Sequence, residues 1–348
     1  MADTDSATFD IASMTKLLHA GQDGSAEVLG ALAERPLLVV DLDTPGEVAG
    51  LDVPTMLPCV IVGISRTGAV HGPLDGVDVA LAAGVRSAAP WVSAVDLDTG
   101  LEEVASGVTD SPMASVTLVQ VLRSGRSDSL DHDLMLESLA YSTLQKGPEF
   151  RRWLAPRTPP SRHPDRRSAL LVERSGDRLS ITFNRPQVHN AYDAAMRDEL
   201  CEALSMVAAD ASITQAHLFG AGTDFCSGGD LGEFGTVSDP TTAHLIRTSR
   251  SAARLLGIVG DRVTAHLQGA CIGAGIELPA LAHRVIAQTD TRVQLPEIAM
   301  GLIPGAGGTA TVRRRIGRHR TAWLALTGKP IDVGTALAWN LVDEIDGR

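Results

Sequence analysis

RLSITF (Arg178–Phe183), DAAMRDELCEALSMVAA (193–209) and AHLFG (216–220) decide the fold. The outer two are short apolar runs of strand length, and between them Met196, Leu200, Leu204 and Val207 fall on one helical face. Strand, helix and strand at this spacing predict a crossover connection between parallel strands. The alternation continues downstream with RVTAHL (262–267), a glycine-rich turn and short helix, RVIAQ (Arg284–Gln288), RVQL (292–295) and a helix from Gly307 toward Ile316. The expected fold class is therefore α/β.

Just before this run, PRTPPSRHPDRR (156–167) holds four prolines, four arginines and no large aliphatic residue. Such a stretch can neither continue a helix nor bury a face, and it is expected to be a linker. Further upstream, PLLVVDLD (36–43), PCVIVGIS (58–65), VDVALAA (77–83) and WVSAV (91–95) are candidate strands. The texture then turns helical. Ser111-Pro112 has the form of an N-cap followed by a first-turn proline, and a second helix places Leu130, Leu134, Tyr141 and Leu144 on one side before Gly147-Pro148 stops it. At 348 residues the chain has room for two such units.

Composition narrows the functions. A formal net charge of −12 with only Trp 4, Tyr 2 and Phe 6 offers neither a phosphate-seeking surface nor a base-stacking platform, which argues against nucleic acid. The same acidity disfavours an anionic membrane surface, although a local basic patch can still receive a phosphorylated small molecule. MADTDSATFD at the start lacks the basic-then-apolar pattern of a secretory signal, and no run reaches membrane-span length, so a cytoplasmic address is expected. Cys59, Cys201, Cys226 and Cys271 lie far apart with no C-x-x-C pair, which fits buried reduced thiols better than disulfides or zinc.

Three stretches carry the chemistry. In DFCSGGDL (224–231) two glycines after a strand let the backbone turn and approach a ligand closely, though alone this is also an ordinary strand-to-helix turn. In GACIGAGIE (269–277) small residues at 273–275 expose the first-turn N–H groups of a helix, which attract developing negative charge. Glu277, three residues beyond Ala274, projects on the same helical side; the alternative is that the glycines serve packing and Glu277 favours the helix start. In LPEIAMGLIPGAGGT (295–309) Glu297 sits among Leu295, Pro296, Ile298 and Met300, where burial would raise its pKa and let it donate a proton near neutrality; a solvated surface glutamate is the other reading.

Taken together with Asn184-Arg185-Pro186 and Asn190-Ala191, these three stretches resemble the enoyl-CoA hydratase/isomerase family, the crotonase superfamily, over about residues 168–345. The resemblance implies a ββα spiral core in which Gly229 and Ala274 supply the two N–H groups of an oxyanion hole for a coenzyme A thioester. Glu277 and Glu297 match the two glutamates of true hydratases, and Gly305 follows at the family's spacing. It further implies that Gln187, His189, Ser227, Asp230 and Leu231 line the coenzyme A channel. No metal or redox cofactor is implied, only an acyl-CoA or enoyl-CoA substrate, and the chain would be a homo-oligomer, a trimer or a multiple of it.

Resembling chains continue past the V-D-E-I region into helices that cover the substrate, whereas residues 110–154 look like that helical region placed before the linker. Residues 1–155 are therefore expected to be a degenerate crotonase-like half with terminal-type helices and no active site of its own. They would complete the core at 168–348, in one chain or across an oligomer, so that deleting them would leave an unstable core. Arg313-Arg314-Arg315 and Arg318-His319-Arg320 could attract coenzyme A phosphates, but a solvated helix face is the expectation. The leading function is hydration of an enoyl-CoA. Double-bond isomerisation through Glu297 alone, and a non-catalytic acyl-CoA-binding subunit, are the alternatives.

Overall fold

The computed structural model of the chain describes residues 8–22, 30–33, 35–44, 51, 53–68, 73–84, 88–157, 168–237 and 239–347. Most of the expected linker, residues 158–167, lies outside them.

A short edge strand, β1 (Thr8–Asp10), and the four expected apolar runs, as β2 (Leu37–Asp41), β3 (Val60–Ser65), β4 (Val79–Ala83) and β5 (Val92–Ala94), form an all-parallel sheet in sequence order. Their near-continuous hydrophobicity reflects burial on both faces. Leu38, Val40, Ile61 and Ala80 join a small core with Ile11, Met14 and Leu18 of α1 (Ile11–Gln22). Val39, Val62 and Leu81 point the other way, into the main core of the molecule.

Four helices follow: α2 (Leu97–Asp110), α3 (Pro112–Ser124), α4 (Leu130–Leu144) and α5 (Pro148–Leu154). Proline opens α3 after Ser111 as the sequence suggests, but the Ser111 side chain makes no cap bond. The Glu149 carboxylate takes that role, accepting from Met113 N at 2.8 Å and Ala114 N at 2.9 Å.

The second half begins with the hairpin β6 (Leu170–Ser175) and β7 (Arg178–Phe183), then α6 (Ala194–Ala209), β8 (Gln215–Gly220), α7 (Pro240–Ser249) and α8 (Ala252–Val259). Next come β9 (Val263–Leu267), β10 (Ala270–Ile272), α9 (Ala274–Glu277), β11 (Arg284–Gln288), β12 (Arg292–Gln294), α10 (Gly308–Thr327), β13 (Ile331–Asp332), α11 (Val333–Ala338) and β14 (Glu344–Asp346). A six-stranded sheet in the order β14-β11-β9-β8-β7-β6 is parallel apart from its β6–β7 edge, and a small sheet runs β10-β12-β13. β9 and β11 lie in the large sheet, while β10 and β12, which directly follow them, lie in the small one. The chain therefore winds as the expected ββα spiral. Gly317, at φ 77° and ψ 163°, breaks α10 where the sequence places the helix end, and a second segment continues beyond it.

The arginines of α10 are not a solvated face. Arg313 and Arg314 each lie 2.7 Å from the buried Asp133 of α4. Arg315 pairs with Asp343 at 3.0 Å. Arg318 donates to Val77 O at 2.9 Å, His319 Nε2 to Leu74 O at 2.9 Å and Arg320 Nε to Trp91 O at 3.1 Å. Their partners are carbonyls and acids left over at the ends of other elements, several in the first half, so the basic stripe ties the first half to the second. All four cysteines are buried and free. Among the described residues no helix is long and apolar enough to cross a membrane.

Candidate active site

Two glycine turns abut where the spiral passes from one sheet to the other. In the first, after β8, Phe225 N and Cys226 N donate to Gln268 O and Ala270 O, and Cys226 O accepts from Ile272 N at 3.0 Å. Gly228 then takes φ 92°, with the Ile272 carbonyl 3.1 Å from the place a Cβ would occupy. The turn so formed leaves Gly229 N–H without an acceptor among the described residues. In the second turn Gly273 takes φ 49° and its carbonyl accepts from Ile276 N and Glu277 N, both at 2.9 Å. Ala274, the first residue of α9, keeps an unengaged N–H, as the opening residue of a helix does. The turns touch: the Cβ position of Gly273 is 3.7 Å from Gly228 Cα. Gly229 and Ala274 both line one cavity of about 610 Å³.

Glu277 and Glu297 line the same cavity and are 2% and 9% exposed. Their Oε1 atoms converge above Gly273, lying 3.6 and 2.6 Å from its Cβ position, so only glycine leaves both acids room. Their surroundings differ. Glu277 Oε2 accepts from Ala306 N and Gly308 N, each at 2.8 Å, at the start of α10. Burial pushes its pKa up to about 7, and the two donors hold it back from rising further. Glu297 Oε2 is buried with no hydrogen-bond partner. Burial, then the charge of Glu277, raises its pKa well above the ordinary carboxylate range. The arrangement thus favours an ionised Glu277 and a protonated Glu297 around neutrality, the two titrating as a coupled pair.

A third acid reaches the cavity from the first half. Glu137 of α4, 2% exposed, accepts from Gly307 N at 2.7 Å, Thr309 N at 2.8 Å and Thr309 Oγ1 at 2.6 Å. Burial and then the neighbouring Glu277 push it up to about 8. Its bonds from the Gly307 and Thr309 N–H groups and the Thr309 hydroxyl favour the carboxylate and hold back that rise. Glu137 was not among the residues the sequence singles out. The signal was present: position 137 falls on the apolar stripe of Leu130, Leu134, Tyr141 and Leu144, where a charge is out of place unless it has buried partners. Tyr141 packs its ring against Gly305, and burial holds its phenol well above the usual range.

Gly229, Ala274, Glu277, Glu297, Asp230 and Gly305 are thus brought to one cavity. Asp230 is tied to Arg185 at 3.1 Å. Gln187, His189, Ser227 and Leu231 do not line that cavity. His189 lies on the outer side of the turn with Nδ1 2.8 Å from Asp224, its side chain 65% exposed; Leu231 and Gln187 are also exposed, and Ser227 N donates to His189 O at 2.9 Å. Among the described residues no group of three or more His, Cys, Asp or Glu could hold a metal ion.

The family profile described as Enoyl-CoA hydratase/isomerase matches residues 174–348. The chain is similar to the 2,3-dehydroadipyl-CoA hydratase of Escherichia coli (strain K12), 33% identical over 178 residues, which are 51% of this chain and 69% of that protein. It is also similar to a peroxisomal bifunctional enzyme of Danio rerio, 31% identical over 176 residues, 50% of this chain but 23% of that longer protein. Among solved structures, an enoyl-CoA hydratase/isomerase from Marinobacter aquaeolei aligns with TM-score 0.48 and 32% identity over 52% of this chain and 71% of that one. With half of its length matched by the family profile, the chain belongs to the enoyl-CoA hydratase/isomerase family.

Proposed function

We propose that the protein is an enoyl-CoA hydratase, adding water across the α,β double bond of an enoyl-CoA thioester. The supporting observation is the pairing of two buried, unequally bonded glutamates with two unengaged backbone N–H groups on one cavity wall. The thioester oxygen accepts from Gly229 N and Ala274 N, and the negative charge that grows on it during addition is met by donors already in place. Glu277, held as a carboxylate by Ala306 N and Gly308 N, takes a proton from the attacking water, whose oxygen bonds to the β-carbon. Glu297, kept protonated by burial, delivers its proton to the α-carbon. Turnover leaves Glu277 protonated and Glu297 ionised, and a proton passing between two acids that face the same point restores the start. These steps use only this chain's groups and the coenzyme A that arrives with the substrate.

On this proposal residues 1–155 are a degenerate crotonase-like half that completes the core at 168–348 in cis, a reading supported by α4 supplying Leu134, Glu137 and Tyr141 to the cavity wall. The wall also includes Glu233, Phe234, Ala243 and Ala253 from the segment between β8 and β9. Hydration of 2-butenoyl-CoA, followed by loss of enoyl absorbance in isotopically labelled water, tests the function. Glu277→Gln and Glu297→Gln should each slow turnover by about 100- to 10,000-fold, with labelled oxygen appearing at the β-carbon of the wild-type product. Double-bond migration without oxygen uptake, or full activity in both variants, overturns it.

A further inference from the structure

The cavity that holds the glutamates also holds a cation with no carboxylate of its own. Arg247, on α7, lines the cavity wall. Its Nη2 donates to Ser142 Oγ and, at 3.4 Å, to Gln145 Oε1, and the guanidinium lies 4.6 Å from the centre of the Tyr141 ring. Its Nε is buried without any acceptor. Among the described residues no Asp or Glu stands within ion-pair distance of it. The other arginines of the wall are differently placed: Arg197 pairs with Asp198 at 2.8 Å, Arg254 with Asp131 at 3.1 Å, and Arg250 is exposed. Glu137 is near enough for its field to be felt at Arg247, but both its oxygens are taken by Gly307 and Thr309. A guanidinium partly withdrawn from water without a paired counter-ion is costly, and an anion brought by the ligand relieves that cost.

The position of this cation relative to the acids indicates which part of a ligand would meet it. Tyr141 stands between them, with one ring edge packed on Gly305 beside the glutamates and Arg247 over its face. Leu134, Phe234, Ala243 and Ala253 supply apolar wall to the same cavity. A thioester held at Gly229 and Ala274 would therefore extend its acyl carbons along apolar surface toward a lone guanidinium.

We propose that the acyl group of the substrate ends in a carboxylate and that Arg247 receives it, so that the protein takes ω-carboxylated enoyl-CoA thioesters. This rests on the assignment of the cavity as an acyl-CoA site. A guanidinium suits a carboxylate, which can accept a charge-assisted bond from the Nη1 group that Ser142 and Gln145 leave free. Chains too short to clear the Tyr141 ring would leave their charge beside the three glutamates and be disfavoured. The phosphates of coenzyme A are the other anions that could meet this cation, and the experiment separates the two.

Calorimetric binding of hexanoyl-CoA and of its ω-carboxylated counterpart to the full-length protein requires no turnover, so the result stands whether or not the hydratase assignment does. Wild type should bind the carboxylated thioester about tenfold to a hundredfold more tightly, the worth of a charge-assisted hydrogen bond. In Arg247→Met the ratio of the two affinities should fall to about one, and in Arg247→Lys, which keeps the charge but loses the guanidinium's bonds to Ser142 and Gln145 that position it, to an intermediate value. A wild-type ratio of one overturns the proposal; if Arg247→Met then weakens both ligands alike, the cation serves the coenzyme A phosphates. A preference that survives in Arg247→Met overturns it too. If Arg247→Met does not fold, an undiminished preference in Arg247→Lys does the same. Hydration assays on the matching 2-enoyl pair complete the test: a binding preference without hydration of either thioester rejects the hydratase function and leaves the carboxylate assignment in place.

Discussion

Replacing Glu137 by Gln removes one charge and turns one acceptor into a donor, and the structure fixes what each change should do. Glu137 meets Gly307 N on one oxygen and Thr309 N and Oγ1 on the other. The Gln amide can accept on one side only, so at least one buried backbone N–H faces an NH₂ group. An orphaned buried donor costs about 1–3 kcal/mol, and losing the charge assistance of the remaining bonds adds about 1 kcal/mol. A stability loss of about 2–4 kcal/mol above pH 8, where Glu137 is ionised, is expected from denaturant melts. The second effect is on Glu297, whose pKa is raised by burial, by Glu277 and then by Glu137. An ionised Glu137 repels the charge that Glu297 would acquire on losing its proton, and so helps to hold that pKa up. Without that charge Glu297 loses its proton more readily, so the alkaline limb of the kcat profile should move to lower pH. A purely structural role would lower stability and leave the limb in place. An unmoved or upward-moving limb in a folded Glu137→Gln protein refutes the argument that Glu137 helps keep Glu297 protonated.

Two further tests probe the fold and its charges. Arg123 Nε lies 2.8 Å from Asp78 Oδ1, with Asp78 3% exposed and Arg318 the more distant cation at 3.8 Å, so Arg123→Met should cost about 3–5 kcal/mol by removing the nearer counter-ion of that carboxylate and the donor to Leu57 O and Cys59 O; adding Asp78→Leu should recover part of the loss in urea melts, and a loss under about 1 kcal/mol from Arg123→Met alone contradicts the account. Because the folded pKa of Glu297 is raised above its unfolded value, its contribution to stability is fully present below the unfolded pKa and is lost as pH rises through the folded one. Glu277 at about 7 and Glu137 at about 8 act with the same sign. Urea midpoints should therefore fall from pH 5 toward pH 9, and Glu297→Gln should flatten that decline; a midpoint that climbs over this range disproves the burial argument.

Local pattern fixed what local forces decide. RLSITF and RVIAQ became β7 and β11 to the residue because strand alternation and apolar burial agree there. The two glycine turns and their glutamates were legible because close backbone approach admits few other residues. What escaped depends on partners far along the chain. The basic stripe of α10 reads as solvated because its acceptors, Leu74 O, Val77 O and Trp91 O, are backbone atoms more than 200 positions away and leave no mark beside the arginines. The cap of α3 likewise comes from Glu149, in a helix two elements later. Glu137 differed: its misfit on an apolar stripe was visible, but only the α10 turn explains it.

The order of α2–α5 ahead of β6–β14 also governs how the molecule assembles. During synthesis these helices leave the ribosome while α10, the element that several of them pack on, has yet to be translated. The bonds from Glu137 to Gly307 and Thr309 close loops of 170 and 172 residues. Such distant contacts carry a loop-closure penalty before they return any stability, which slows folding. α3, whose Leu118, Val119 and Leu122 are fully or almost fully buried in the finished protein, lacks its α10 neighbour until the last third of the chain arrives, and the surface that α10 covers is open to water or a chaperone until then. Nascent chains stalled before residue 300 should therefore be the aggregation-prone species of this protein.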